Sequence, residues 1–83
     1  MEALVRDILR NHADLSVSVD SLANDTNLYD AGLSSFGSVE VMVALEERLG
    51  ASLPERLLRR GTFESIAALC AAAEELQRLV AAA

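Results

Sequence analysis

This chain has little with which to do chemistry alone. Its 83 residues include one cysteine, one histidine, one proline and no tryptophan, and its aromatics are Tyr29, Phe36 and Phe63. A single cysteine, Cys70, excludes an intrachain disulfide and makes a reducing compartment the natural setting. With no base or metal-ligand partner near it in sequence, Cys70 reads as a small buried hydrophobe. The lone His12 has no second ligand beside it, and no spacing here suggests a nucleophile with its base. Repeats, a glycine-rich phosphate loop and interleaved basic and aromatic residues are also missing. The apolar run Ala67–Ala73 is stopped by Glu74 and Glu75, too short to cross a membrane. Met1–Asp7 alternates charged and apolar residues, unlike a signal peptide. These absences exclude an enzyme, a metal protein, a nucleic-acid binder and a membrane protein, and point to the cytoplasm.

What is present is apolar and acidic. Hydrophobic residues make up 52% of the chain, mostly Ala and Leu, and the net charge is -6. The acidity is uneven: residues 1–50 hold nine Asp/Glu against three Arg, whereas residues 51–83 hold four of each. An acidic surface repels nucleic acid and anionic membrane and is drawn to basic patches on other proteins. The length allows one domain, 1–83, with one modest core.

The apolar spacing predicts an all-α fold, a small four-helix bundle of three longer helices and one short one, over residues 2–13, 35–49, 54–60 and 63–80. In the first helix Leu4, Val5, Ile8 and Leu9 face one way and Arg6, Asp7 and Arg10 the other. His12 falls on the apolar side and is expected to be partly buried. From Asp14 to Leu33 the chain is rich in Asp, Asn, Ser and Thr, with isolated apolar residues. The alternation Leu15, Val17, Val19 could be a strand, but no partner strand is evident, so a long ordered loop is expected. Pro54 and Gly61 bracket the short helix, whose Arg56, Arg59 and Arg60 read as a solvated face or as a contact for an anionic partner. Thr62 is the expected cap of the last helix, with Ile66, Leu69, Ala73, Leu76 and Val80 facing the core and Ala81–Ala83 frayed.

The most informative stretch is Asp30-Ala31-Gly32-Leu33-Ser34-Ser35-Phe36 and the helix that follows. Gly32 permits a tight bend, and Ser34 or Ser35 can cap the helix start. A phosphate on a serine there is favoured by about 0.3–1 kcal/mol by the positive end of the helix. On a helical wheel Val39, Val41, Met42, Leu45 and Leu49 gather on the core side. Phe36, Glu40, Val43 and Glu47 form an outward stripe, either a docking surface or a widening of the buried face.

Gly32-Leu33-Ser34-Ser35-Phe36, followed by Val39-Glu40 and Leu45-Glu46-Glu47, resembles the phosphopantetheine attachment region of acyl carrier proteins, and the likeness extends over essentially the whole chain. The family order is Gly, an aliphatic residue, Asp, the modified Ser and an apolar residue. The resemblance thus implies an acyl-carrier-like bundle with 4′-phosphopantetheine, derived from coenzyme A, on Ser35. It implies partner contacts through the acidic Glu40, Glu46 and Glu47 and the apolar Phe36 and Val43. The partners it implies are a phosphopantetheinyl transferase, an acyl- or aminoacyl-loading ligase and downstream acyl-transferring enzymes, served by a monomeric, free-standing carrier with no catalytic residue and no metal site of its own. Two positions depart from the pattern: Ser34 replaces the usual Asp and remains a rival attachment point, and Gly37 stands where an acidic residue is common.

Three readings of the cargo and role stay open. A fatty-acid or polyketide carrier needs space for an acyl chain, which Ala67, Ala68, Ala71 and Ala72 leave available. Gly-Leu-Ser-Ser-Phe, with the run Leu53–Ile66, looks like bacterial carriers that accept activated amino acids from ligases similar to truncated seryl-tRNA synthetases. An unmodified acidic adaptor, docking through the stripe Phe36–Glu47, is the third.

Overall fold

The computed structural model describes residues 1–82. Three α-helices, α1 (Glu2–His12), α2 (Ser35–Leu49) and α3 (Ile66–Ala82), are joined by segments that contain 3-10 turns at Val19–Ser21, Glu55–Leu57 and Arg60–Phe63. The all-α expectation holds, and no strand forms among the described residues. α1 packs on both α2 and α3. Val5, Ile8 and Leu9 of α1 meet Val41 and Leu45 of α2 and Ile66, Leu69, Ala73 and Leu76 of α3 in one buried cluster. Full burial of each large side chain in it stabilises the fold by about 1.5–3 kcal/mol.

The long first connection is held as firmly as a helix. Arg6, on α1, donates from Nη1 to Val19 O at 2.7 Å and from Nη2 to Leu22 O at 3.0 Å and Asn24 Oδ1 at 2.9 Å. Its Nε bonds Glu2 Oε2 at 3.0 Å. Leu28 is fully buried, its N–H donates to Glu64 O at 2.7 Å, and its carbonyl accepts from Leu33 N–H at 2.9 Å. A loop whose backbone groups find such partners can lie against a core without desolvation cost. Leu15–Val19 is accordingly a loop that ends in a 3-10 turn.

The short third helix is not α-helical. Leu57 N–H bonds Pro54 O at 2.9 Å and Leu58 N–H bonds Glu55 O at 2.9 Å, both three residues apart, before Arg59 returns to an extended conformation. Seven residues are too few to offset helix nucleation, and two tight turns bury Leu53, Leu57, Thr62 and Phe63 together.

α3 consequently starts at Ile66 rather than Phe63. Its first turn is capped by Ser65, whose Oγ accepts from Ala68 N–H at 3.0 Å, and not by Thr62, which lies buried in the preceding turn. α3 is also longer than its neighbours, about 25 Å against about 16 Å for α1 at 1.5 Å per residue. Val80, expected in the core, therefore overhangs and is 42% exposed. Ala81 and Ala82, expected to fray, remain helical, and Ala83 lies outside the described residues. Among the described residues no helix is long and apolar enough to cross a membrane.

Candidate functional site

The approach to α2 is fixed residue by residue. Ser16 donates to Ala31 O from both its N–H (3.0 Å) and its Oγ (2.8 Å), which brings the start of the loop against its end. Gly32 sits at φ +108, and a Cβ there would stand 3.1 Å from Ser16 N, so only glycine combines this bend with this approach. Leu33 then turns into the core, and Ser34 follows in an extended conformation.

The two serines do different things. Ser34 is the N-cap: its Oγ accepts from Gly37 N–H at 2.8 Å. Ser35 opens the helix, is exposed, and its hydroxyl takes part in no hydrogen bond among the described residues. Gly37 is buried where α2 begins against the end of α1. A Cβ on it would lie 3.2 Å from Leu33 Cδ1 and 3.3 Å from Ala13 O. Any side chain at position 37 would have to displace these neighbours by a few tenths of an ångström.

Ser35 lines a cleft of about 300 Å³ between α2 and the turns before α3. Val39 and Met42 continue the α2 wall, and Leu58 and Phe63 form the apolar side opposite. Arg59, Arg60, Tyr29 and Ser38 supply the rest of its polar part, Ser38 donating from Oγ to Ser35 O at 2.8 Å. The Arg60 guanidinium lies 3.6 Å from the centroid of the Tyr29 ring, and Tyr29 Oη donates to Arg60 O at 3.1 Å. A neighbouring hollow of about 250 Å³ includes Ala68, Ala71 and Ala72, and Arg59 borders both. Ala67 faces solvent instead, its N–H donating to Asn24 O at 2.9 Å.

On the other flank of α2 a second groove, of about 270 Å³, is formed by Phe36, Glu40, Val43 and Glu47 together with Val39 and His12. Phe36 is 74% exposed and Val43 42%. The outward stripe is therefore a solvent-facing apolar surface edged by carboxylates, and not an extension of the core.

Val39 belongs to this surface and not to the core, being 52% exposed. Its wheel angle, about 60° from Phe36, already lies within the outward arc. His12 is exposed rather than partly buried, because α1 ends there and Ala13 takes the buried place beside Gly37. Glu46 is differently employed: half-buried, it accepts Leu53 N–H on Oε2 at 2.7 Å and so anchors the chain after α2. Of the basic cluster, Arg56 pairs with Glu75 on α3, whereas Arg59 and Arg60 face the cleft with Ser35. No local sequence pattern announced the cleft, because its walls come from segments some 25 residues apart. Among the described residues no three His, Cys, Asp or Glu converge as a metal site. Burial pushes the Cys70 thiol up, away from the reactive thiolate.

The chain matches the family described as phosphopantetheine attachment site over residues 3–72. It is 44% identical, over 69 residues and 83% of each chain, to the aminoacyl carrier protein of Agrobacterium fabrum (strain C58). It is 36% identical to D-alanyl carrier protein 1 of Lactiplantibacillus plantarum, over 78% of this chain and 82% of that one. Among solved structures it is similar to the carrier protein from Agrobacterium tumefaciens in the crystal structure of an engineered Bradyrhizobium japonicum glycine:[carrier protein] ligase with that carrier and AMP. That match has a TM-score of 0.86 and 40% identity, and it covers 89% of this chain and 99% of the other. With the fold, the helix start and the cleft beside it in accord, the chain belongs to the phosphopantetheine-bearing carrier proteins.

Proposed function

We propose that this chain is an aminoacyl carrier, a single domain that takes 4′-phosphopantetheine on Ser35 and a small amino acid on that group from an ATP-dependent ligase. The observation that carries the reading is the difference between the two serines. Ser34 is engaged as the cap, and Ser35 offers an accessible hydroxyl beside a cleft. The residues present fit the group. A phosphodiester suits a helix start with cations opposite, and an extended amide-containing arm suits a cleft with apolar walls and polar ends. When attached, the group supplies a terminal thiol on which the amino acid is held as a thioester.

The chain's own residues present and steer. Phe36, Val39 and Val43 offer an apolar contact on the helix that bears Ser35, and Glu40 and Glu47 edge it with negative charge. Glu46 adds charge at its margin while holding Leu53. Such a surface suits a basic, partly apolar groove on a transferase, a ligase and downstream acyl-transferring enzymes. Charge sets encounter rate and orientation, and the apolar residues supply most of a modest affinity. A carrier that must leave each partner needs no more. Catalysis is left to those partners, and the carrier works as a monomer in the reducing cytoplasm.

The likeness to an aminoacyl carrier and to a carrier bound by a glycine ligase favours an amino acid over a fatty acyl chain. The test is to incubate the phosphopantetheinylated protein with ATP, an amino acid:carrier protein ligase and each amino acid in turn. A mass gain for glycine or another small amino acid, removed by hydroxylamine, is expected. Loading by acyl groups alone would overturn the aminoacyl reading.

A further inference from the structure

We propose that Arg59 and Arg60 form a seat for the phosphodiester of the prosthetic group and hold the first part of its arm against the cleft. The inference rests on Ser35 as the attachment point.

Four of the chain's seven arginines are spoken for. Arg6, Arg10, Arg48 and Arg56 each pair with a carboxylate. Arg59 and Arg60 take part in no ion pair among the described residues, although the chain carries thirteen acidic side chains. Both line the cleft that contains Ser35. Arg60 is held there at two points, by the Tyr29 ring under its guanidinium and by the Tyr29 hydroxyl on its carbonyl. Arg59 lies next to it at the surface, its Nη1 3.3 Å from where a Cβ on Gly61 would stand.

A guanidinium held in place as that of Arg60 is loses less freedom on binding an anion than a mobile one, and the planar forks of both arginines match phosphate oxygens. A phosphodiester is singly charged at every physiological pH, so such a seat works independently of pH and is weakened by salt. The other hydroxyls of the cleft besides Ser35 already donate to carbonyls, Tyr29 to Arg60 O and Ser38 to Ser35 O. That leaves the guanidinium groups as the side-chain donors for the anion. In this arrangement the arm rests on its own protein between partners, and a docking enzyme releases it by competing for the same phosphate.

The test uses the full chain modified enzymatically with an isotope-labelled prosthetic group, its mass confirmed first. The backbone-type order parameter of the amide nearest the phosphate is then measured in 20 mM and 500 mM salt. In the native protein at low salt it is expected above about 0.6, the boundary of flexible behaviour, and below that value at high salt. Arg59→Gln and Arg60→Gln should each bring it below that boundary at low salt, and Arg78→Gln, with the same charge change on α3, should leave it at the native value. A modified native protein whose arm is equally mobile at both salt concentrations would overturn the seat alone. A protein that gains no mass at Ser35 would overturn both the seat and the attachment reading.

Discussion

At the scale of single residues, the division of labour between Ser34 and Ser35 is the feature on which the proposed function turns. Two adjacent hydroxyls cannot both cap a helix, and the extended conformation of Ser34 gives it the cap. Ser34→Ala should therefore cost about 0.5–2 kcal/mol of stability, read by chemical denaturation, and leave phosphopantetheinylation in place. Ser35→Ala should do the reverse. The motif itself was legible in the sequence, Gly32 from the bend it permits and the order Gly32, Leu33, Ser35 through its resemblance to the carrier family's pattern. The assignment of the cap was not, because either serine satisfies the same preference until the backbone angles are known. Glu46 shows the same limit. Its position on the wheel suits a partner surface, yet its carboxylate finds Leu53 N–H, a group seven residues on whose orientation no helical wheel contains.

At the scale of elements, α2 carries two surfaces, and the first loop decides how they are aimed. Arg6 joins α1 to two loop carbonyls, and Leu28 anchors the loop end in the core. Arg6→Ala leaves those carbonyls without charged donors and should cost about 2–3 kcal/mol. For a domain of this size that is a drop in melting temperature of roughly 8–24 °C. Leu28→Ala should cost about 2–5 kcal/mol by leaving a cavity. Scanning calorimetry measures both, and losses below 1 kcal/mol would show that the loop is not a structural member.

On the outward face, Phe36→Ala and Val43→Ala should each weaken ligase binding about tenfold, equivalent to about 1.4 kcal/mol, with the fold unchanged. Isothermal titration of the modified carrier checks this, and unchanged affinity would move the docking face elsewhere. The three long helices were visible in their apolar spacing. The short third one was not what its proline and glycine suggested, because burial of Leu57 and Phe63 from two successive turns outweighs the local helical pattern.

At the scale of the whole molecule, a small acidic bundle relies on arginines to tie its acidic half together. Arg6 and Asn24 hold the Glu2 carboxyl below the usual carboxylate range, and Arg10 does the same for Asp20. A carboxyl whose folded value is depressed contributes stability that is complete above its unfolded value and is lost as pH falls through the folded one. Arg10→Gln should therefore destabilise the protein at pH 7 and progressively less below about pH 4, where the native chain loses the same pair. Arg78→Gln, which makes the same change in net charge at a residue with no ion pair among the described residues, is the control for overall charge repulsion. Denaturation curves from pH 3 to 7 supply the measurement, and a difference that does not shrink on acidification would remove the pair from the account.

The acidity of the first 50 residues was plain in the sequence. Its use was not, since it serves internal pairs such as Arg48–Asp7 at 3.0 Å as well as edging the outward face of α2.

The most direct test is the intact mass of the protein after incubation with coenzyme A and a phosphopantetheinyl transferase, followed by peptide mapping. One phosphopantetheine increment on Ser35, absent from Ser35→Ala and retained in Ser34→Ala, is the predicted result. An unmodified chain under conditions that fully modify another carrier, or an increment that persists in Ser35→Ala, would contradict it.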